Sequence, residues 1–443
     1  MMKRTVVATA LICGLALSCT GCGGGDSDPA ASAPKGGQAL KGQKVTVAAV
    51  WTGEEQASFK KVLDGFTRKT GAEIQFVSTG DNVSTVIGSK IQGGDAPDVV
   101  MVPQVGVVQQ FAKSGWLAPL SANVKAAATK NYAQVWQDYG TVDGTFYALY
   151  FKASDKSTVW YSPTAFANAG VTPPTTYEQM MTDAKTIADS GLSAFAIGGQ
   201  DGWTLTDWFE NIYLSQAGAE NYDKLAQHKI PWTDPTVVKS LTTLGELFKQ
   251  KTLIAGGAEG ALRTDFPTSV TQVFGDEPKA AMTYEGDFVS GNITNDLHKK
   301  VGTDAKFFAF PSVDGGPAPV VGGGDAAVAL KEGKNPSGGM KLLEYLATPE
   351  AAGIWAKSGG FLSPNKSLPL SSYSNDTLRQ TAKSLIGAGD NVRFDMSDQA
   401  PAAFGGTAGT GEWKLLQDFL ADPSDPAATA KKLETAAAKA YKN

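Results

Sequence analysis

The sequence predicts an α/β fold built on parallel sheets, and three observations carry that prediction. Short apolar runs alternate with stretches of helical spacing from residue 45 onward. Those stretches open on capping residues and close on glycine or basic residues. All three cysteines lie at or before position 22, so a disulfide framework cannot stand in for a packed core.

Taken in order, residues 45–50 read as a buried strand. Phe59, Val62, Leu63 and Phe66 follow at helical spacing, and Gly71 after Arg68 and Lys69 marks the stop. Residues 74–77 read as a second strand, 83–91 as a second helix and 99–102 as a third strand. Such alternation is the signature of a parallel sheet covered by helices. Farther on, Asp234 before Pro235 opens a helix with Val237, Leu241, Leu244 and Phe248 as its apolar stripe. Thr348 before Pro349 opens another, which ends near Gly359 and Gly360, and residues 427–441 form an Ala-rich final helix. In open parallel sheets ligands collect beyond the carboxyl ends of strands. That rule singles out residues 51–55, 79–82 and 103–104.

The first residues obey a different logic. Lys3 and Arg4 precede an apolar segment, residues 6–17, too short to span a bilayer, which is the pattern of an export signal. Ser18, Cys19, Thr20, Gly21 and Cys22 resemble a lipobox. That resemblance implies a signal peptide of residues 1–21, cleavage before Cys22 and lipidation of its thiol, with Cys19 as runner-up. Residues 23–44 are rich in Gly, Ser, Ala, Pro and Asp and read as a flexible tether reaching about 25 Å. The chain from residue 45 to residue 443 is long enough for two domains. Cleavage removes two basic and no acidic residues, taking the formal charge from −5 to −7. This argues against nucleic acid or an anionic membrane surface as partner, and no later apolar run is long enough to be a transmembrane helix.

The runs WTGEEQASFKKVLDGFTRKTG and GGDAPDVVMVPQVGVVQQFAKSGWLAPL, then WYSPTAF, GWTLTDWFEN, IPWTDP, AAMTYEGDF, GGGDAAVAL and GGFLSPNK, occur in this order. Together they resemble the family 1 extracellular solute-binding proteins, which capture sugars for ABC importers. GWTLTDWFEN, YEGDF and GGGD are most similar to its α-glucoside-binding branch. The resemblance implies a two-lobed periplasmic-binding-protein fold with discontinuous lobes joined by crossing hinge strands. One lobe would hold residues 45–152 and 312–361, the other 153–311 and 362–443. It also implies a monomer that closes around a sugar or oligosaccharide, docks on an ABC permease, meets the membrane through its lipid alone and carries no cofactor.

Sugars present hydroxyls at the rim and C–H patches on the ring faces, so aromatic faces and fixed carboxylates or amides are the side chains to look for. Trp51, just past the first strand, is either a ligand wall or a packing residue. Glu54, preferred over Glu55, is either a hydroxyl acceptor or a carboxylate offsetting a helix dipole. Asp81 and Gln104, past the second and third strands, are acceptors, with a turn-forming role as the alternative for Asp81. Trp203, Asp207 and Trp208 form the richest segment, two aromatic platforms with a hydroxyl acceptor between them and Trp203 preferred as the ligand-facing ring; the alternative is that Thr206 or Asp207 caps a helix and Trp208 packs beneath it. Tyr284 and Glu285 end an apolar strand, with Glu285 as the preferred carboxylate of the second lobe. Gly324 permits close backbone approach, Asp325 accepts a hydroxyl, and Phe361 is an aromatic wall.

Two competing readings stand beside this one. A glycosidase needs two carboxyl groups flanking the scissile bond, and Glu54, Asp81, Glu285 and Asp325 supply carboxylates. The chain has no nucleophile-elbow motif, and its two histidines, His228 and His298, lie in no metal-binding pattern, so neither catalysis nor a metal is expected. A binding protein for a polyamine is the other reading, suggested by the acidic balance.

Overall fold

The structure, a computed structural model, describes residues 38–388 and 393–442. The export signal, Cys19, Cys22 and the tether up to residue 37 lie outside the described residues. Strand β1 (Lys44–Ala49) leads through helix α1 (Gly53–Thr70) to β2 (Glu73–Ser78), and α2 (Val83–Gln92) leads to β3 (Val99–Val102) and α3 (Val105–Lys113). α1 stops where Gly71 adopts φ 78° and its N–H bonds Thr67 O, a conformation only glycine takes cheaply. β1 pairs in parallel with both β2 and β3, as the alternation predicts.

The chain then runs through β4 (Ala148–Asp155) into a second sheet. This sheet contains β5 (Thr158–Tyr161), β6 (Ser193–Ala196), β7 (Ala280–Glu285) and β8 (Lys306–Ala309), in the order β8–β5–β7–β6. β9 (Val321–Leu330) and β10 (Arg393–Phe394) complete the first sheet, in the order β10–β9–β3–β1–β2. β9 runs antiparallel to β3 and β4 and parallel to β10, so this sheet is mixed. β3, all Val and Met, lies between β1 and β9 with every residue buried, which explains its unbroken apolar run.

Among the later helices, α4 (Trp203–Ala226), α5 (Pro235–Phe248), α6 (Pro349–Ala356), α7 (Gly411–Ala421) and α8 (Pro426–Ala440) matter most. Asp234, Thr348 and Asp425 cap α5, α6 and α8 through side-chain oxygens that accept from Thr236, Ala351 and Ala428 N–H groups. Each is followed by Pro at the first helical position, where a missing N–H costs nothing.

Three hydrophobic clusters result among the described residues, one around Phe59, Phe66 and Trp355, a second around Trp208, Phe209 and Tyr284, and a smaller third around Trp160, Phe266 and Phe288. Their membership differs from the expected lobe boundaries. Leu362, Leu368, Tyr373, Leu378 and Leu385 pack in the first core, although the expected second lobe includes residues 362–443. The reason is backbone pairing: Leu362 bridges Ala153, and β10 pairs with the start of β9, so the chain stays on the first sheet until Phe394. Val313 and Val321 pack in the second core, so the return crossing falls at β9 and not at residue 312.

Candidate ligand-binding cleft

A cleft of about 370 Å³ opens where the strand ends of the two sheets face each other. The first wall is the one the parallel sheet dictates. Trp51 and Glu54 follow β1, Asp81 follows β2 and Gln104 follows β3, and all four line the cleft together with Gly324 and Asp325 of β9. Trp51 serves twice: it also packs edge-on against Phe59 and Trp355, with ring centroids 4.7 and 4.8 Å away. Glu54 accepts from Ser58 Oγ at 2.5 Å and from Asn295 Nδ2 at 2.9 Å, so it reaches across to the second lobe. Burial raises its pKa above the usual carboxylate range. Gln104 is 4% exposed, and its amide oxygen meets no donor among the described residues. A Cβ at Gly324 would lie 2.7 Å from the Lys152 carbonyl, so this glycine admits a neighbouring strand as well as lining the cleft.

Two lysines, Lys152 within β4 and Lys156 just past its end, also line the cleft, and sequence reasoning missed both. Lys152 Nζ lies 2.5 Å from Glu55 and 4.0 Å from Asp325, and over the rings of Trp51, Phe288 and Trp355. Burial alone would lower its pKa; Glu55 and Asp325 outweigh that and raise it. Lys156 Nζ bonds Asp395, lies 3.3 Å from Asp207 and 3.5 Å from Asp398, and sits 5.6 Å above the Trp203 ring. The signal for both was present: two lysines four apart, ending the apolar run that forms β4.

The second wall comes from the start of α4 and from loops beyond the second sheet. Trp203 lines it, with Phe266 and Phe288 at ring separations of 5.6 and 6.2 Å. Asp201, Asn292, Asp296 and Trp413 join them, and Asp201 accepts from Phe266 N–H at 2.7 Å. The indole N–H of Trp413 has no acceptor among the described residues. None of these except Trp203 was singled out from the sequence, because they converge from segments some two hundred residues apart.

Five expected site residues do not line the cleft, four of them beneath this wall and Phe361 in the first lobe. Trp208 is 1% exposed and packs edge-on against Phe195, Tyr284 and Phe310. Tyr284 donates its hydroxyl toward the Lys156 and Asp207 carbonyls, at 2.7 and 3.0 Å, and is therefore structural. Asp207 is fully buried as a partner of Lys156, not exposed to accept hydroxyls. Glu285, buried beside Asp207, meets no amide or hydroxyl donor among the described residues, and burial pushes its carboxyl up to about 8. Phe361 stacks on Trp355 at 5.2 Å within the first core.

Burial, and then the charges of Asp395 and its neighbours, also hold Asp398, Glu210 and Glu412 well above the carboxylate range. Asp395 is the exception: burial would raise it, but Lys156 and hydrogen bonds hold it low. Around one ammonium, then, the second lobe gathers buried carboxyl groups whose pKa values burial raises, with Asp395 alone held low. Among the described residues no group of three or more His, Cys, Asp or Glu is arranged to hold a metal ion, and no helix is long and apolar enough to cross a membrane.

Known proteins share this outline. A sequence profile of the bacterial extracellular solute-binding proteins matches residues 51–353. The alpha-glucosides-binding periplasmic protein AglE of Rhizobium meliloti is 34% identical over 404 residues, spanning 88% of this chain and 86% of that one. The osmoprotective compounds-binding protein GgtB of Synechocystis is 31% identical over 385 residues, spanning 85% and 89%. Among solved structures, the bacterial solute receptor AcbH superposes with a TM-score of 0.77 at 22% identity, covering 90% of this chain and 99% of that one. The maltose-bound MalE3 of T. maritima gives 0.71 at 17% identity, covering 88% and 98%. The two-lobed α/β fold is shared with both.

Proposed function

Since the chain belongs to the bacterial extracellular solute-binding proteins, we propose that it captures an α-glucoside or a related oligosaccharide between its lobes and delivers it to an ABC permease. The observation that carries this reading is the composition of the cleft. Trp203, Phe266 and Phe288 offer ring faces, while Asp81 and Gln104 past strand ends and Asp325 within β9 offer acceptors. The 34% identical relative that binds alpha-glucosides supports the choice of sugar.

Three chain crossings, at residues 155–158, at β9 and at 394–396, restrict relative motion of the lobes to hinge bending. A sugar that touches both walls favours the closed form only by its extra affinity for that form. The permease then meets a surface that exists when the lobes are together. Nothing in this cycle breaks a bond, and a bound oligosaccharide is expected to be released intact. In the mature protein Cys22 carries the lipid that keeps the trap beside the importer, and the body works as a monomer.

A thermal-shift and calorimetric screen with maltose, trehalose, galactose and spermidine tests the reading. Stabilisation following RT ln(1 + [L]/Kd) is expected with an α-glucoside. A response to spermidine alone would replace it with the polyamine reading, and steady cleavage of maltose would replace it with an enzyme.

A further inference from the structure

We propose that the preferred ligand is an amino sugar, whose ammonium is held between Asp81 of the first wall and Asp201 of the second. The inference rests on the sugar reading above and narrows it.

Eight of the residues lining the cleft are Asp or Glu and two are Lys. Neither lysine is left to neutralise a ligand-facing carboxylate. Lys152 is engaged by Glu55 and Asp325, and Lys156 by Asp207, Asp395 and Asp398. Glu54, Asp201, Asp265 and Asp296 meet neutral donors, which satisfy lone pairs without offsetting charge.

Asp81 is the extreme case, since it accepts no hydrogen bond among the described residues. Burial, followed by the charges of Asp201 and Glu55, pushes its carboxyl up to about 7. Asp201, in the opposite lobe, is oriented by the Phe266 N–H on Oδ2, which leaves Oδ1 for a ligand. The independent pointer to a ligand is Gln104: its side chain lines the same cleft, the residue is only 4% exposed, and its amide oxygen is unpartnered among the described residues. Of the cleft-lining residues, the buried side-chain atoms without a partner among the described residues are this amide oxygen, an acceptor, and the Trp413 indole N–H, a donor.

A neutral saccharide fills acceptors but leaves two facing carboxylates uncompensated. An ammonium fills the same acceptors and cancels the repulsion that opposes lobe closure. Trp203 and Phe266, with ring centroids 5.6 Å apart beside Asp201, add faces that attract a cation.

The test is calorimetric titration of the full chain, at pH 7 and low salt, with trehalose and maltose and with their monoamino-deoxy derivatives. At least one amino derivative is expected to bind about tenfold or more tightly than its parent, with the advantage shrinking in 0.5 M NaCl. Asp81→Asn and Asp201→Asn, checked for unchanged melting, should each reduce that advantage toward parity. Parents binding as tightly as every amino derivative would overturn the inference and leave the sugar reading standing. No binding of any saccharide would overturn both. An amine preference unchanged in both variants would overturn the assignment to Asp81 and Asp201.

Discussion

The two walls of the cleft are built on different principles. The first is a row of strand ends, in which Trp51, Asp81 and Gln104 each sit one or a few residues past a parallel strand. The second is a helix start with converging loops, and a residue's place there depends on its angle around the helix. Trp203 opens α4 and faces the cleft; Trp208, five residues on, is turned by roughly 140° and faces the core. Beneath the first wall lies apolar packing, with Lys152 paired to Glu55 and Asp325 at its surface. Beneath the second lies an ammonium ringed by buried acids. Strand ends thus advertise a site through position alone, whereas a helix start advertises a segment and hides which of its faces is used.

The sharpest break in this comparison is Trp208→Ala. A buried indole lost from the second core should cost about 3–5 kcal/mol, read as a lower denaturant midpoint. A loss below about 1 kcal/mol would mean that Trp208 is not the core residue described.

Next in size is Lys156→Met, which leaves Asp207, Asp395 and Asp398 without their cation and should cost about 3 kcal/mol at pH 8. The cost should be smaller at pH 5, where the carboxyls can take protons instead. The unmodified chain should itself be less stable at pH 8 than at pH 5. Asp207, Asp398, Glu210 and Glu412 keep protons in the fold that the unfolded chain releases near pH 4, and Glu285 keeps its proton to about 8. Their contribution is therefore fully present below the unfolded pKa and is lost as pH rises through the folded values. Asp395 acts in the opposite sense, since its pKa is lowered, and is outnumbered. Denaturant midpoints from pH 5 to 8 check both statements; a rise with pH would contradict them.

The smallest effect is expected from Trp203→Ala. Loss of one ring face should weaken saccharide binding about tenfold to a hundredfold while moving the melting temperature little. Unchanged affinity with a large loss of stability would reverse the roles of the two tryptophans.

Much of the first lobe was legible because local rules coincide there. Apolar runs of strand length, glycine stops and capped helix starts each gave one element, and sheet adjacency then put three loops at one mouth. The second wall was legible only as far as its segments. The stretch from Gly202 to Trp208 contains a cleft residue, but its two tryptophans and Asp207 could not be told apart without the helix phase. Tyr284 and Glu285 do end a strand, yet β7 is an inner strand whose end is covered by α4, so Phe288, three residues further, is the one exposed to the cleft. The lysines escaped notice because a charged residue in a buried strand is read as a defect until its acidic partners, distant in sequence, are seen.

A crystal structure of the complex with the tightest-binding saccharide tests the central claim most directly, that the ligand lies between a strand-end wall and a helix-start wall. The account predicts density against the ring of Trp203, with polar atoms on Asp81 and Gln104 and none on Trp208, Tyr284 or Glu285. A saccharide bound against Trp208 or Glu285, or held by one lobe alone, would contradict it.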